Sequence, residues 1–179
     1  MLMRLELDFG KIAICICYDM MFPESVQIPA LKGAEIIFHP TFGYGWYDSI
    51  GEATLRTRAN DNGIYIVTSK SYVYNGAGKS SIIDPWGQVL ADAGFAKDAI
   101  VSGTIDLDSK KSHPDWYFNS YMSGTSDVRE RMRKERRTEL YMNEYNAIKE
   151  KLIAEKFKVP NTEEKQKILE AIRKGECHW

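Results

Sequence analysis

The stretch KIAICICYDMMFPE, residues 11–24, determines how the neighbouring parts of the chain must fold. Its first six residues (KIAICI) form a β-branched run too short for a helix, which predicts a buried strand. Pro23 and Glu24 are typical of the first turn of a helix, because proline suits that position and an acidic side chain suits the positive helix end. Cys17 is therefore predicted to lie on a sharp turn that leads from a strand into a helix.

The residues that follow predict a strand–helix–strand unit. The helix should end at Gly33, and Pro29 inside it should kink or shorten it. Residues 34–39 (AEIIFH) read as a second strand that ends at Pro40. Two strands joined through a helix are expected to lie parallel in one sheet.

Further elements are predicted as far as residue 105. They are a helix over about 50–62 behind a capping box of Ser49 and Glu52, a strand over 64–70, a β-hairpin over 80–91 and a strand over 99–105. The alternation of strands and helices predicts an α/β domain over residues 1–108.

The composition changes after residue 108, and a helical C-terminal extension is predicted over residues 109–179. Residues 126–174 are mostly charged and helical in pattern, with breaks expected near Tyr145 and at Pro160. The segment RERMRKERR, residues 129–137, holds six basic and two acidic residues. A nucleic-acid patch is possible there, but the interleaved acidic residues favour a solvated helix face.

The composition of the 179 residues is that of a globular protein, and its charge balance gives no electrostatic reason to expect a polyanionic partner. With 24 Lys and Arg against 25 Asp and Glu, no partner nucleic acid or membrane surface is expected. The longest apolar run has seven residues, far below the ~20 that cross a bilayer. No secretory leader is visible, and three cysteines without a CxxC pattern predict a cytoplasmic protein without disulfides, metal or cofactor.

The local sequence pattern indicates Cys17 as the candidate catalytic nucleophile. A side chain on such a turn faces the N–H groups of a helix start, which favour a thiolate, and the thiolate is the nucleophilic form. The alternative is that Cys17 is an ordinary buried cysteine, a small apolar residue in the core. For Cys15, two residues earlier in the strand, we expect this core role.

Three motifs in register resemble the nitrilase superfamily of carbon–nitrogen hydrolases. Residues 17–24 (CYDMMFPE) resemble its nucleophile motif, residues 55–62 (LRTRANDN) its R-A-R-A-x-E-N helix, and residues 78–87 (GKSSIIDPWG) its G-x-S-x-I-x-D-P-x-G hairpin. With the strand GAEIIFHPT, the resemblance covers about residues 8–107. It implies an α/β fold that forms the C-terminal part of the family's four-layer α-β-β-α sandwich.

The resemblance implies hydrolysis of an amide, carbamoyl or nitrile substrate through a cysteine thioester. Cys17 would be the nucleophile, with a Glu as general base and a Lys that steadies the tetrahedral intermediate. The residues implied in oxyanion or substrate binding are Tyr18 (through its backbone N–H), Asp19, Phe22, Glu24, Thr41 and Trp46. For Asp19 and Glu24 a helix-cap or ion-pair role is an equal alternative.

Side chains near these motifs have structural alternatives as well. Trp46 belongs to an aromatic loop that would wall a small-molecule pocket or pack against a partner subunit. Arg56 and Arg58 are expected to anchor their helix by buried pairing rather than to touch substrate.

The departures from the family pattern leave the activity of this chain open. The family's Glu and Lys lie well upstream of its cysteine, whereas only 16 residues precede Cys17. Glu6 and Lys11 have the right types, but no family motif surrounds them. Asp61 replaces a Glu of the family pattern, and Lys70 replaces an Asn.

A half-sandwich would leave an apolar sheet face and strand edges uncovered. We therefore expect a homo-oligomer, a second polypeptide that supplies the missing N-terminal half, or a longer natural chain. The alternative function is a non-catalytic assembly or binding subunit that keeps the fold.

Overall fold

The computed structural model describes residues 4–42, 48–71, 79–96, 98–107 and 128–156, and the single residues 163, 166, 167, 170 and 174. The chain forms two compact units, Met1–Glu135 and Arg136–Trp179. The predicted boundary at residue 108 falls inside the first unit and stays a prediction.

Strands and helices alternate through the first unit. The strands are β1 (Arg4–Leu7), β2 (Gly10–Ile14), β3 (Ile36–Thr41), β4 (Tyr65–Lys70), β5 (Ser81–Ile83) and β6 (Val89–Asp92). A 3₁₀ helix over Cys17–Met21, here called the elbow, precedes α1 (Pro23–Leu31), and α2 (Asp48–Asn62) and α3 (Val128–Lys134) follow. The second unit contains α4 (Thr138–Lys156).

The six strands form one mixed sheet in the order β1-β2-β3-β4-β5-β6. β2, β3 and β4 run parallel, which confirms the predicted parallel pair, while β1, β5 and β6 join antiparallel. β2, β3 and β4 therefore end at the same edge of the sheet, and Cys17 comes three residues after β2 at that edge.

One face of the sheet is buried under α1 and α2. Alternate strand residues such as Ala13, Ile37 and Ile66 meet Val26 of α1 and Leu55 of α2, and all five are at most 1% exposed. The strands are thus held by the two-residue alternation of side chains that a half-buried sheet needs. We call this side of the sheet the helix face.

On the opposite face, the described residues provide only partial cover. Ile105 and Leu107 pack against Ile12, Ile36 and Tyr65. Beside them lies an apolar strip, which comprises Leu5, Leu7, Ile14 and Ile16 and is 38%, 41%, 48% and 61% exposed in that order. Exposed apolar side chains therefore cluster on this part of the face among the described residues.

Several sequence predictions of elements need correction. The strand predicted over 99–105 is wrong, because these residues have no regular secondary structure and pair with no strand. The break near Tyr145 is also wrong, since α4 runs through it, and the helical pattern breaks at 135–137 instead. Strand β1 was not predicted, and α2 begins at Asp48 rather than at 50. The predicted break at Pro160 lies outside the described residues.

Pro40 does not end β3, which continues to Thr41. β2 pairs with β3 only as far as Phe38, so the N–H that Pro40 lacks falls beyond the end of that ladder. Pro29 is accommodated inside α1, where it is buried.

Within the described parts of the chain, no helix is both long and apolar enough to cross a membrane.

Candidate active site

The elbow holds Cys17 in an unusual backbone conformation. Cys17 has φ of +47°, a left-handed value that costs a residue with a Cβ about 1–2 kcal/mol. The Asp19 carboxylate accepts the N–H of Ile16 at 2.9 Å, and the N–H of Phe22 donates to the Asp19 carbonyl at 3.1 Å. These bonds close the turn before α1 begins at Pro23 and leave the Cys17 side chain exposed.

Hydrogen-bond donors converge on the Cys17 thiol. A hydrogen bond with the Thr41 side chain lowers its pKa most, and the backbone N–H groups of Phe42 and Tyr18 lower it further. Partial burial and the negative charge of Asp19 act in the opposite direction without cancelling the effect. The sheet edge thus brings Thr41 and the Tyr18 N–H to Cys17, and this environment favours the thiolate.

Cys15 has the opposite environment. It is fully buried, and burial, helped by the charge of Asp19, raises its pKa to about 11. Its thiol donates to the Ser25 carbonyl at 3.1 Å. The predicted core role of Cys15 is confirmed, because it packs in the cluster beneath α1.

His39 is a residue of this site that the sequence did not reveal. It is fully buried on the helix face, with Nε2 3.1 Å from the Cys17 carbonyl oxygen and Nδ1 3.1 Å from Thr68 Oγ1. Burial lowers the pKa of His39, so the ring is neutral near pH 7. The signal was a polar residue at a core-facing position of β3, two residues before Thr41.

The other predicted side chains lie around the elbow. Tyr18 and Phe22 are 69% and 51% exposed, and their rings pack edge to face with centroids 5.4 Å apart. Glu24 is half-buried in the first turn of α1. Trp46 lies outside the described residues.

Three charged residues that were compared with the family pattern lie at different distances from the elbow. Glu6 is paired in register with Lys11 near the start of β2, at the opposite end of that strand from Cys17. Lys70 ends β4 in register with Thr41, and its charge contributes to the lowered pKa of His39. Lys70 therefore lies near the elbow, whereas Glu6 and Lys11 do not.

Arg56 and Arg58 lie on α2, and each makes a polar contact there. The Nε of Arg56 donates to the Gly87 carbonyl at 2.7 Å, which ties the helix to the β5–β6 hairpin. Arg58 is 14% exposed and lies 3.8 Å from Asp61 on the same helix. The Arg56 contact fits the expected anchoring role, although its side chain is 46% exposed, whereas the Arg58 contact stays within α2.

Among the residues whose placement is described, no three His, Cys, Asp or Glu side chains are grouped to hold a metal ion.

These features define an α/β domain that carries a cysteine on the turn between its first parallel strand and the following helix. Residues 3–114 match the model of the carbon-nitrogen hydrolase family. The chain therefore belongs to that family and is part of a nitrilase-type domain, as its motifs indicated.

Relatives and solved structures agree with this assignment. An omega-amidase of Homo sapiens is 38% identical over 110 residues, which are 57% of this chain and 39% of that protein. A Saccharomyces cerevisiae member of branch 10 of the nitrilase superfamily is 29% identical, with a TM-score of 0.50 over 57% of this chain and 40% of that one. The NitN amidase of Nesterenkonia sp. AN1 is 25% identical, with a TM-score of 0.60 over 79% of this chain and 48% of that one.

The chain spans less than half the length of the curated relatives it matches, between 38% and 46% in the first eight.

Proposed function

We propose that this chain supplies the nucleophile of an enzyme that hydrolyses a non-peptide carbon–nitrogen bond, with an amide as substrate. The observation that carries the proposal is the exposed Cys17 thiol, which lies in a left-handed elbow and has its pKa lowered by three hydrogen-bond partners. The names of the relatives, an omega-amidase and an amidase, support an amide over a carbamoyl group or a nitrile.

The reaction would proceed through two displacements at the amide carbon. The Cys17 thiolate attacks the carbonyl carbon, the C–N bond breaks, and the amine leaves with a proton to give a thioester. Water then attacks the thioester, which releases the carboxylic acid and regenerates the thiol. The Tyr18 N–H, which already donates to the sulfur, would bind the oxygen that becomes negative in each tetrahedral intermediate.

Proton transfer needs groups that the described part of the elbow does not offer. The groups that shift the pKa of the Cys17 thiol belong to Thr41, Phe42, Tyr18 and Asp19, and none of them is a Glu or Lys side chain. The general base and the cation implied by the family would then come from another polypeptide or from a longer form of this chain. The segment that supplies these two groups would also cover the apolar strip.

The test uses the natural assembly, recovered through a tag on this chain, with its intact mass determined first. We expect ammonia release from small amides to fall by a factor of at least about 10³ in Cys17→Ser, because a serine hydroxyl has a far higher pKa than a thiol and is not ionised by the same surroundings. The matched control is Cys15→Ser, which alters the buried neighbour and should keep turnover within about twofold. Retention of most activity in Cys17→Ser would exclude Cys17 as the nucleophile.

The second candidate is a non-catalytic assembly subunit, which the exposed apolar strip favours. Such a subunit would bind its partner equally well with or without the Cys17→Ser substitution and would release no ammonia in either form. A catalytic subunit would show the same binding but a difference in turnover. The same two preparations therefore separate the two candidates.

A further inference from the structure

His39 is a buried polar residue for which the hydrolysis scheme above has no role. It is fully buried on the helix face and Thr68 beside it is 3% exposed, although apolar residues occupy most neighbouring positions. Burying an imidazole removes its hydrogen bonds to water, which costs free energy unless protein groups bind both ring nitrogens. Its two ring nitrogens lie within hydrogen-bond distance of the elbow and of β4.

The acceptor properties of its neighbours fix which ring nitrogen carries the proton. The Cys17 carbonyl oxygen can only accept, so Nε2 must carry the hydrogen at the 3.1 Å contact. In a neutral ring Nδ1 then has a lone pair and must accept from the Thr68 hydroxyl, also 3.1 Å away. The same hydroxyl is also placed to donate to the His39 carbonyl oxygen at 3.2 Å, so its single hydrogen is shared between that oxygen and Nδ1. Thr68, His39 and Cys17 thus form a directed chain of hydrogen bonds.

This chain ends on the peptide group that carries the proposed oxyanion donor. The Cys17 C=O and the Tyr18 N–H belong to one planar peptide unit and point in opposite directions. Because His39 holds the C=O on the core side, the N–H is directed to the other side, where it donates to the Cys17 sulfur. The left-handed backbone of Cys17 needs such a restraint, since its relaxed conformation would turn this peptide.

We propose that His39 is a positioning residue that sets the orientation of the Cys17–Tyr18 peptide through its Nε2–H, and with it the aim of the Tyr18 N–H at the nucleophile. The catalytic meaning of this role rests on the proposed function of Cys17. The hydrogen-bond role itself is measurable on the thiol without any substrate.

The experiment compares His39→Met and His39→Gln in the full chain, with Cys177→Ser in every variant so that only two thiols remain. Methionine fills the space without donating, whereas the glutamine amide N–H reaches the place of Nε2. The readout is the pH–rate profile of Cys17 alkylation by iodoacetamide, mapped by mass spectrometry. We expect His39→Met to raise the pH midpoint and to slow alkylation at pH 7 by about three- to tenfold. We expect His39→Gln to remain within about twofold of the parent protein.

Other charges near the ring are the same in all variants. Lys70 on β4 and Asp19 on the elbow act on His39, and Asp19 also acts on Cys17. Since neither is altered, a difference between His39→Met and His39→Gln reports the lost donor. Equal midpoints in both variants, accompanied by equal losses of stability to urea and faster Cys15 alkylation, would show that His39 only fills the core and would overturn the proposal.

If His39→Met does not fold, Thr68→Val provides the decision. Without the hydroxyl, Nδ1 is free to take the proton, and the Cys17 carbonyl loses its donor for part of the time. The pH midpoint of Cys17 alkylation should rise, but by less than in His39→Met. An unchanged midpoint would overturn the proposal. An active Cys17→Ser enzyme would refute the proposed function and leave this thiol measurement intact. An unchanged profile would refute the role of His39 even where Cys17→Ser abolishes hydrolysis.

Discussion

Cys15 and Cys17 are two residues apart, yet the pKa values of their thiols shift in opposite directions. Cys15 continues the alternation of β2 into the core, where burial disfavours its charged form. Cys17 lies beyond the strand, where the elbow exposes it and the side chain of Thr41 and two backbone N–H groups favour its charged form. The position of one turn thus decides which cysteine is reactive.

This contrast predicts a selective alkylation. The thiolate is the reacting form, so the rate at each cysteine rises with pH up to its own pKa. With a pKa of about 11, roughly one Cys15 thiol in 10⁴ is ionised at pH 7, and that thiol is buried as well. Limiting iodoacetamide on the Cys177→Ser protein, followed by peptide mapping, should modify Cys17 at least about 100 times faster. Comparable rates at the two sites would remove the support for a special environment at Cys17.

At the scale of elements, side-chain and backbone contacts join α2 to the β5–β6 hairpin and α3 to the residue before β3. The hairpin turn is closed by Asp84, whose carboxylate accepts the N–H groups of Trp86 and Gln88 at 2.8 and 2.9 Å. Gly87 in the same turn has φ of +72°, and a Cβ there would lie 2.9 Å from the Arg56 carbonyl oxygen. The motif glycine is therefore required both by its conformation and by the close approach of α2.

Gly87→Ala should destabilise the first unit by more than the backbone strain of an alanine with positive φ, because its Cβ would also meet the backbone of α2. The matched control is Gly94→Ala, which has φ of +57° and no atom within 4 Å of the added Cβ. We expect a loss of about 1 kcal/mol in the control and at least about 2 kcal/mol at Gly87, because only there must backbone atoms move. Urea unfolding followed by circular dichroism measures both. Equal losses would mean that the contact with Arg56 contributes nothing.

Arg129 fastens α3 to the sheet and predicts a second difference. Its guanidinium lies 3.1 Å from a Glu35 carboxylate oxygen and donates to the Leu107 carbonyl at 2.8 Å, with only 18% of the side chain exposed. We expect Arg129→Gln to cost about 1–3 kcal/mol in urea unfolding. The control is Glu130→Gln, which removes the exposed 2.6 Å pair with Lys134 and should cost less than about 0.5 kcal/mol. A loss at Arg129 no larger than at Glu130 would contradict the anchoring role.

For the molecule as a whole, the sequence predicted those elements that are determined by residues close together in the chain. The strand–elbow–helix path around Cys17, the parallel pair and the hairpin follow from local hydrophobic patterns and turn residues. β1 was missed because a short exposed edge strand has little hydrophobic pattern. Residues 99–105 were predicted as a strand from their apolar residues, yet Ile105 packs on the sheet without strand pairing and Ile100 is 95% exposed. His39 was missed because its partners, Thr68 and the Cys17 carbonyl, are joined to it only by the fold.

The apolar strip predicts how the isolated chain behaves. Its four residues lie on the sheet face that carries little cover in the described structure. Two of them, Leu5 and Leu7, belong to β1, which is an edge strand of the sheet. Exposed apolar surface next to a free strand edge favours association between copies. We expect the 179-residue chain alone to self-associate in light scattering and to release no measurable ammonia from small amides, since a general base contributes about 10²–10⁴ in rate and each oxyanion-stabilising group about 10²–10³.

A charge in the strip should separate self-association from the lack of activity. Ile14→Lys places a cation at a residue that is 48% exposed in the strip, so self-association should fall while the chain stays inactive. The control is Ile100→Lys, which removes a side chain that is 95% exposed but outside the strip and should leave association unchanged. An equal reduction in the control, or a greater one from Tyr145→Lys on α4, would place the association elsewhere. A monodisperse parent chain with ordinary turnover would show that residues of this chain, such as Lys70, perform the roles assigned to a missing half.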